Sequence, residues 1–162
     1  MSRVAEKFEG RPNNLAVIHQ RPDGAIWMVG TEALVARWDS RGLSQRRGPR
    51  IFTALAEGGD GRLLVGSYGG LGWLDDALET RPLEWERTVQ PEVSLLWNDG
   101  GGRLWCSSLG ALRSRTDDAW HEYGPAEGFT PVPVKSALAR RDGALWFGTS
   151  GRGIGVFRDG RF

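Results

Sequence analysis

The chain has 162 residues, 21 Lys and Arg against 20 Asp and Glu, 24 glycines, eight tryptophans and one cysteine. This near balance of charge gives no bulk attraction to nucleic acid or to an anionic membrane. A lone Cys106 excludes an intrachain disulfide and leaves the redox compartment open. No run is long and apolar enough to span a bilayer, and the first residues lack the apolar core of a secretory leader. As written, the chain is expected in the cytosol; as a segment of a longer receptor, it is expected in the periplasm.

In chain order, Val4-Ala5-Glu6-Lys7-Phe8 reads as an outer strand within residues 1–10, with Phe8 matching Tyr123 further on. Four copies of one unit follow, at roughly 11–51, 52–92, 93–133 and 134–162. The first has an inner strand from Leu15 to His19, then Asp23-Gly24-Ala25-Ile26-Trp27. The second has Asp60-Gly61-Arg62-Leu63-Leu64, the turn Tyr68-Gly69-Gly70 and a strand from Leu71 to Leu74. The third has Gly101-Gly102-Arg103-Leu104-Trp105, the turn Leu109-Gly110 and strands from Ala111 to Arg115 and around Trp120. The fourth has a strand from Val134 to Ala139, Asp142-Gly143-Ala144-Leu145-Trp146, and Ile154 to Phe157. Leu64 follows Trp27 by 37 residues, and Trp105 and Trp146 each follow their predecessor by 41. A period near 40 residues marks one supersecondary unit repeated along the chain.

Each unit parses as short strands joined by tight turns, in which so much glycine is routine. The Asp-Gly pairs suit two-residue type I′ hairpins, because both central positions of that turn need positive φ. Apolar neighbours such as Leu145-Trp146-Phe147 point to opposite faces of a strand, so both faces of each sheet are expected to be buried. The fold class is therefore all-β, a β-propeller of about four blades, alone or as part of a larger propeller. Trp27, Trp105 and Trp146 are expected to fill the space between blades. Asp23, Asp60 and Asp142 are expected to bond local amides in their turns. Either residues 1–10 complete the last blade and close a four-blade ring, or the blades end in open faces. Open faces favour self-association, for example two chains in an eight-blade ring.

The run Asp142-Gly143-Ala144-Leu145-Trp146-Phe147-Gly148-Thr149, continued by Gly151-Arg152-Gly153-Ile154, resembles the two-component regulator propeller repeat. The other copies depart from it at Leu64, Ser67, Gly101 and Cys106-Ser107. The resemblance implies a sensing or binding role, often toward saccharides, in bacterial hybrid sensor kinases and related receptors. The membrane helix and signalling output of such receptors have no counterpart in this sequence.

Chemistry is thin. His19 and His121 are the only histidines, and they fall on an inner and an outer strand. No His/Cys grouping has metal-ligand spacing, and Cys106-Ser107-Ser108 is no nucleophile elbow. The Gly100-Gly101-Gly102 run lacks the lysine and helix of a phosphate loop. No catalytic residue, metal or cofactor is expected. Ligand contact is expected on the loop face, from Arg11, Asn13, Asn14, Arg46, Arg50, Tyr68 and Arg152, with Glu32, Arg47 and Glu92 nearby. Aromatic, Arg and Asn side chains together suit an oligosaccharide. Two alternatives stand beside sensing. One is a lyase- or lactonase-like propeller enzyme, since Asp-Gly-Ala-Ile-Trp and Asp-Gly-Ala-Leu-Trp also resemble virginiamycin B lyase-like proteins. The other is a protein-interaction scaffold.

Overall fold

The structure, a computed structural model, describes residues 15–83, 92–116 and 119–162. Four antiparallel meanders follow one another along the chain. Blade 1 holds β1 (Leu15–Gln20), β2 (Ile26–Gly30), β3 (Leu34–Asp39) and β4 (Gly42–Arg47). Blade 2 holds β5 (Phe52–Glu57), β6 (Leu63–Ser67), β7 (Gly70–Leu74) and β8 (Thr80–Pro82). Blade 3 holds β9 (Val93–Asn98), β10 (Leu104–Ser108), β11 (Ala111–Thr116) and β12 (Ala119–Tyr123). Blade 4 holds β13 (Val134–Ala139), β14 (Leu145–Thr149) and β15 (Ile154–Phe157). Each inner strand packs against the next, β1 on β5, β5 on β9 and β9 on β13. This is a β-propeller arrangement of four blades. The outer strand expected at residues 1–10 lies outside the described residues.

The hairpins at Asp23-Gly24, Asp60-Gly61 and Asp142-Gly143 are not type I′ turns. Gly24, Gly61 and Gly143 have φ of 85°, 76° and 82°, while the preceding aspartates keep negative φ. Each loop is instead three residues long, a type I turn closed by a left-handed glycine. In the first, the Gly24 N–H donates to Arg21 O at 2.9 Å and the Arg21 N–H donates to Ala25 O at 2.9 Å. Pro22 fixes the φ of the first turn position. The aspartate then accepts from the amide two residues on, in Asp23–Ala25 at 2.9 Å, Asp60–Arg62 at 3.0 Å and Asp142–Ala144 at 3.2 Å. The Ala144 amide, with Arg140 and Arg158 nearby, holds the Asp142 carboxyl below the usual carboxylate range. Where Gly101 replaces the aspartate, Asp99 takes over. It accepts from the Gly101 amide at 2.8 Å and from the Trp105 indole N–H at 3.2 Å. The positive-φ pair that a type I′ turn requires occurs at Leu109-Gly110, φ 48° and 84°, and at Asp159-Gly160, φ 51° and 82°, where Arg158 and Arg161 exchange backbone hydrogen bonds.

The register assigns every side chain to a forward or a rear face. Trp27, Leu64, Trp105 and Trp146 share the forward register, opposite His19, Ala56, Trp97 and Leu138. Trp27 seats against Leu55, Leu63, Val65 and Leu74 of blade 2, Leu64 against Leu96, Leu104 and Cys106 of blade 3, and Trp105 against Leu145, Phe147 and Phe157 of blade 4. Trp105 stacks on Tyr123 at 5.0 Å and meets Phe147 at 5.1 Å. Trp146 departs from the expectation. It is only partly buried, because no described blade covers its face.

Polar contacts stitch the seams at the same register. The Thr53 hydroxyl donates to Val93 O at 2.6 Å and the Ser94 hydroxyl to Val134 O at 3.0 Å. Arg21 donates to Gly61 O at 3.0 Å, and His19 bonds Glu57 at 3.2 Å. Cys106 is enclosed in the blade 2–3 seam, and burial pushes its thiol up to about 12. Since the thiolate is the reactive form, a thiol reagent at pH 8 is expected to leave the folded chain unlabelled and to label it fully in denaturant.

Candidate functional site

On the loop side, one depression of about 390 Å³ receives residues from all four blades. Ala16 and Thr31 come from blade 1, Ile51, Phe52, Thr53 and Tyr68 from blade 2, Glu92 and Ser94 from blade 3, and Lys135 from blade 4. Ala16, Thr53, Ser94 and Lys135 occupy one register, the second residue of each inner strand. The seam bonds of Thr53 and Ser94 therefore fix the floor of this mouth as well as joining the blades.

Tyr68 is its prominent side chain, 57% exposed, on a turn held from three directions. The Gly69 N–H donates to Ser67 Oγ at 3.1 Å, that hydroxyl donates to Gly70 O at 3.1 Å, and Arg50 donates to Gly69 O at 3.0 Å. The Tyr68 N–H adds a bond to Ile51 O at 3.3 Å. An exposed ring on a fixed turn offers a flat apolar surface at little entropic cost. Lys135 and Glu92 supply one charge of each sign beside it, and Thr31 supplies a hydroxyl.

Of the residues singled out in the sequence, the structure brings Tyr68 and Arg50 together, Arg50 as a brace behind the ring's turn. Arg46 lies elsewhere, on the outer strand β4, paired with Glu79 at 3.0 Å. Its neighbour Arg47 alternates to the other face and donates to Glu32 O at 2.6 Å. The basic run is thus split by the strand pleat rather than gathered. Arg152 sits exposed on the β14–β15 turn and does not line the mouth. Arg11, Asn13 and Asn14 lie outside the described residues. Sequence reading missed Thr31, Thr53, Ser94 and Lys135. The same spacing of 37, 41 and 41 that links the tryptophans links Ala16, Thr53, Ser94 and Lys135, and that signal was available to find them.

A larger groove, about 1030 Å³, runs along the hairpin side of blades 1 and 2 past Arg21, Arg37, Trp38, Asp39 and Asp76. Its charges are spent on one another. Arg37 meets Asp39 at 3.1 Å and Asp76 at 3.7 Å, and Arg21 meets Glu57 at 3.7 Å. Among the described residues, no group of three or more His, Cys, Asp or Glu is placed to hold a metal ion. No described helix is long and apolar enough to cross a membrane.

No family model matches the chain, and no curated protein matches it. Solved structures do. The extracellular domain of a hybrid two-component system from B. thetaiotaomicron superposes with a TM-score of 0.75 at 14% identity, over 90% of this chain and 22% of that one. A catalytically inactive virginiamycin B lyase from Staphylococcus aureus, with quinupristin, gives 0.72 at 17% identity, over 94% of this chain and 58% of the lyase. A protein described as a gluconolactonase gives 0.67 at 22% identity, over 91% and 59%. The chain thus shares the β-propeller fold of sensors and enzymes alike, and spans less than two thirds of each of these neighbours.

Proposed function

We propose that this chain is a non-catalytic sensing module that binds an oligosaccharide at its loop-side mouth, within a bacterial signal-transduction receptor. The observation that carries the reading is the Tyr68 ring, exposed on a braced turn in a mouth to which every blade contributes. The ring face packs on the C–H side of a sugar, Lys135 attracts an acidic substituent, and Thr31 and Glu92 take hydroxyls. A ligand touching Tyr68 of blade 2 and Lys135 of blade 4 ties together blades that are not consecutive in the chain, which stiffens the arc and passes binding to attached domains. The likeness to an extracellular sensor domain supports this role and a periplasmic setting. The enzyme reading draws support from the lyase and lactonase neighbours. It is weaker here because His19, the histidine of an inner strand, is engaged with Glu57 in a seam, and the mouth lacks a histidine.

Titration of the labelled chain with oligogalacturonate, and separately with a neutral glucan oligosaccharide, tests the proposal by NMR. The expected result is shift changes at Thr31, Tyr68, Ser94 and Lys135, with Tyr68→Ala weakening binding by about tenfold or more. Tight binding of either sugar that leaves those four amides unmoved, or that survives Tyr68→Ala, overturns the assignment of the mouth. No binding of either sugar overturns the saccharide reading and favours the interaction scaffold.

A further inference from the structure

The forward face of blade 4 repeats a surface that is covered at every earlier blade. Leu138, Trp146 and Val156 lie directly across from one another on β13, β14 and β15, with Ser136, Gly148 and Ile154 forming the next row. Leu138 is 63% exposed, Ile154 66% and Val156 38%. In the three preceding blades the second-strand residues of these rows, Trp27 with Val29, Leu64 and Trp105, are buried against the blade that follows. At the other end, the rear side of blade 1 exposes two inner-strand residues, Leu15 at 37% and Ile18 at 63%, while Met28, Leu34 and Ala36 on its second and third strands are buried with Ile26 and Leu43. Ile18 stands at the register of Leu55, Leu96 and Ala137, the inner-strand residues that each preceding blade receives.

We propose that the exposed face of blade 4 docks β1 of a second copy of this chain, and that two chains joined head to tail close one eight-blade ring. The occupant follows from the seams already present, since each joins a forward face like blade 4's to an inner strand like β1. The polar positions agree. Arg140 stands where Arg21 does, each N–H donating across its own hairpin, Arg140 to Ala144 O and Arg21 to Ala25 O. Arg21 reaches forward to Gly61 O. In the ring, Arg140 reaches Gly24 O of the second copy. Lys135 stands at the register of Thr53 and Ser94, whose hydroxyls donate to the first inner-strand carbonyl of the next blade. Its counterpart across the new seam is Leu15 O. The cations of blade 4 therefore face neutral acceptors rather than other cations. Eight blades fall at the upper end of the usual range for closed propellers, and the two seams of such a ring are identical.

Light scattering on a sizing column, over a concentration series, tests this. The expected mass is twice that of the 17.8 kDa chain, with no growth at higher concentration. Leu138→Glu and Ile18→Glu alter exposed side chains, so each variant is expected to keep the native circular dichroism and to run as a monomer. An equimolar mixture of the two variants is expected to recover a dimer, because one seam then pairs an intact face with an intact strand. A monomeric natural chain overturns the proposal, as does mass that climbs without limit. A dimer abolished by Leu138→Glu but untouched by Ile18→Glu also overturns it, since it reports two blade-4 faces meeting each other.

Discussion

Trp105→Ala is expected to lower the unfolding free energy by about 3–5 kcal/mol, the range for deleting a large buried aromatic side chain. The ring is fully enclosed between blades 3 and 4 and touches Tyr123, Phe147 and Phe157. The loss also frees Asp99 from the indole N–H it accepts. Trp146→Ala at the same register, measured at concentrations that keep the chain monomeric, is expected to cost less than about 1 kcal/mol, as surface substitutions generally do. Urea unfolding of the two variants provides the comparison. Equal losses contradict the assignment of Trp146 to an uncovered face. The pair separates what the tryptophan does as a residue type from what the neighbouring blade does for it.

Gly66→Ala is expected to cost about 1–3 kcal/mol by overpacking the blade 2–3 seam. A Cβ there would meet Val93 Cγ1 at 2.6 Å and Val93 Cβ at 2.7 Å, with Ala54 Cβ at 3.1 Å. Those atoms belong to two adjacent inner strands and have no room to retreat. Gly148 shares the register on blade 4, but the atom a Cβ would meet first is the Ser136 hydroxyl. That side chain is exposed and turns away by one rotamer. Gly148→Ala is therefore expected to shift the urea midpoint far less than Gly66→Ala. A midpoint for Gly66→Ala equal to that of the natural chain shows that the inner strands part more easily than their packing implies.

The repeat made the fold legible, because the 37- and 41-residue spacings carry both the unit and its count. The strand from Val134 to Ala139 was read residue for residue, and so was the strand from Ile154 to Phe157. Turn type was misread at Asp23-Gly24 because the dipeptide alone does not reveal that Pro22 belongs to the loop. The burial of Trp146 was misread for a different reason. Periodicity reports which face a residue takes, and only the presence of a neighbour decides whether that face is dry. The site was less legible still. Tyr68 was visible as an aromatic in a turn, but Arg46 and Arg50 are four residues apart in sequence and diverge in space, one to Glu79 and one to Gly69 O. Thr53 and Ser94 look like ordinary strand residues until the propeller axis brings them to one mouth.

All four sheets are meanders, so every strand hydrogen-bonds to the strand before it, after it, or both. Among the described residues, strand pairing requires no distant part of the chain, and the seams add contacts about one repeat apart, such as Thr53 with Val93 and Ser94 with Val134. Loop closure therefore costs little at each step, and the contact order stays low for an all-β protein. A nascent chain can set each blade in place as it emerges, with the preceding blade as its template. Of the four described sheets, blade 4 is the one whose forward face has no described neighbour to template.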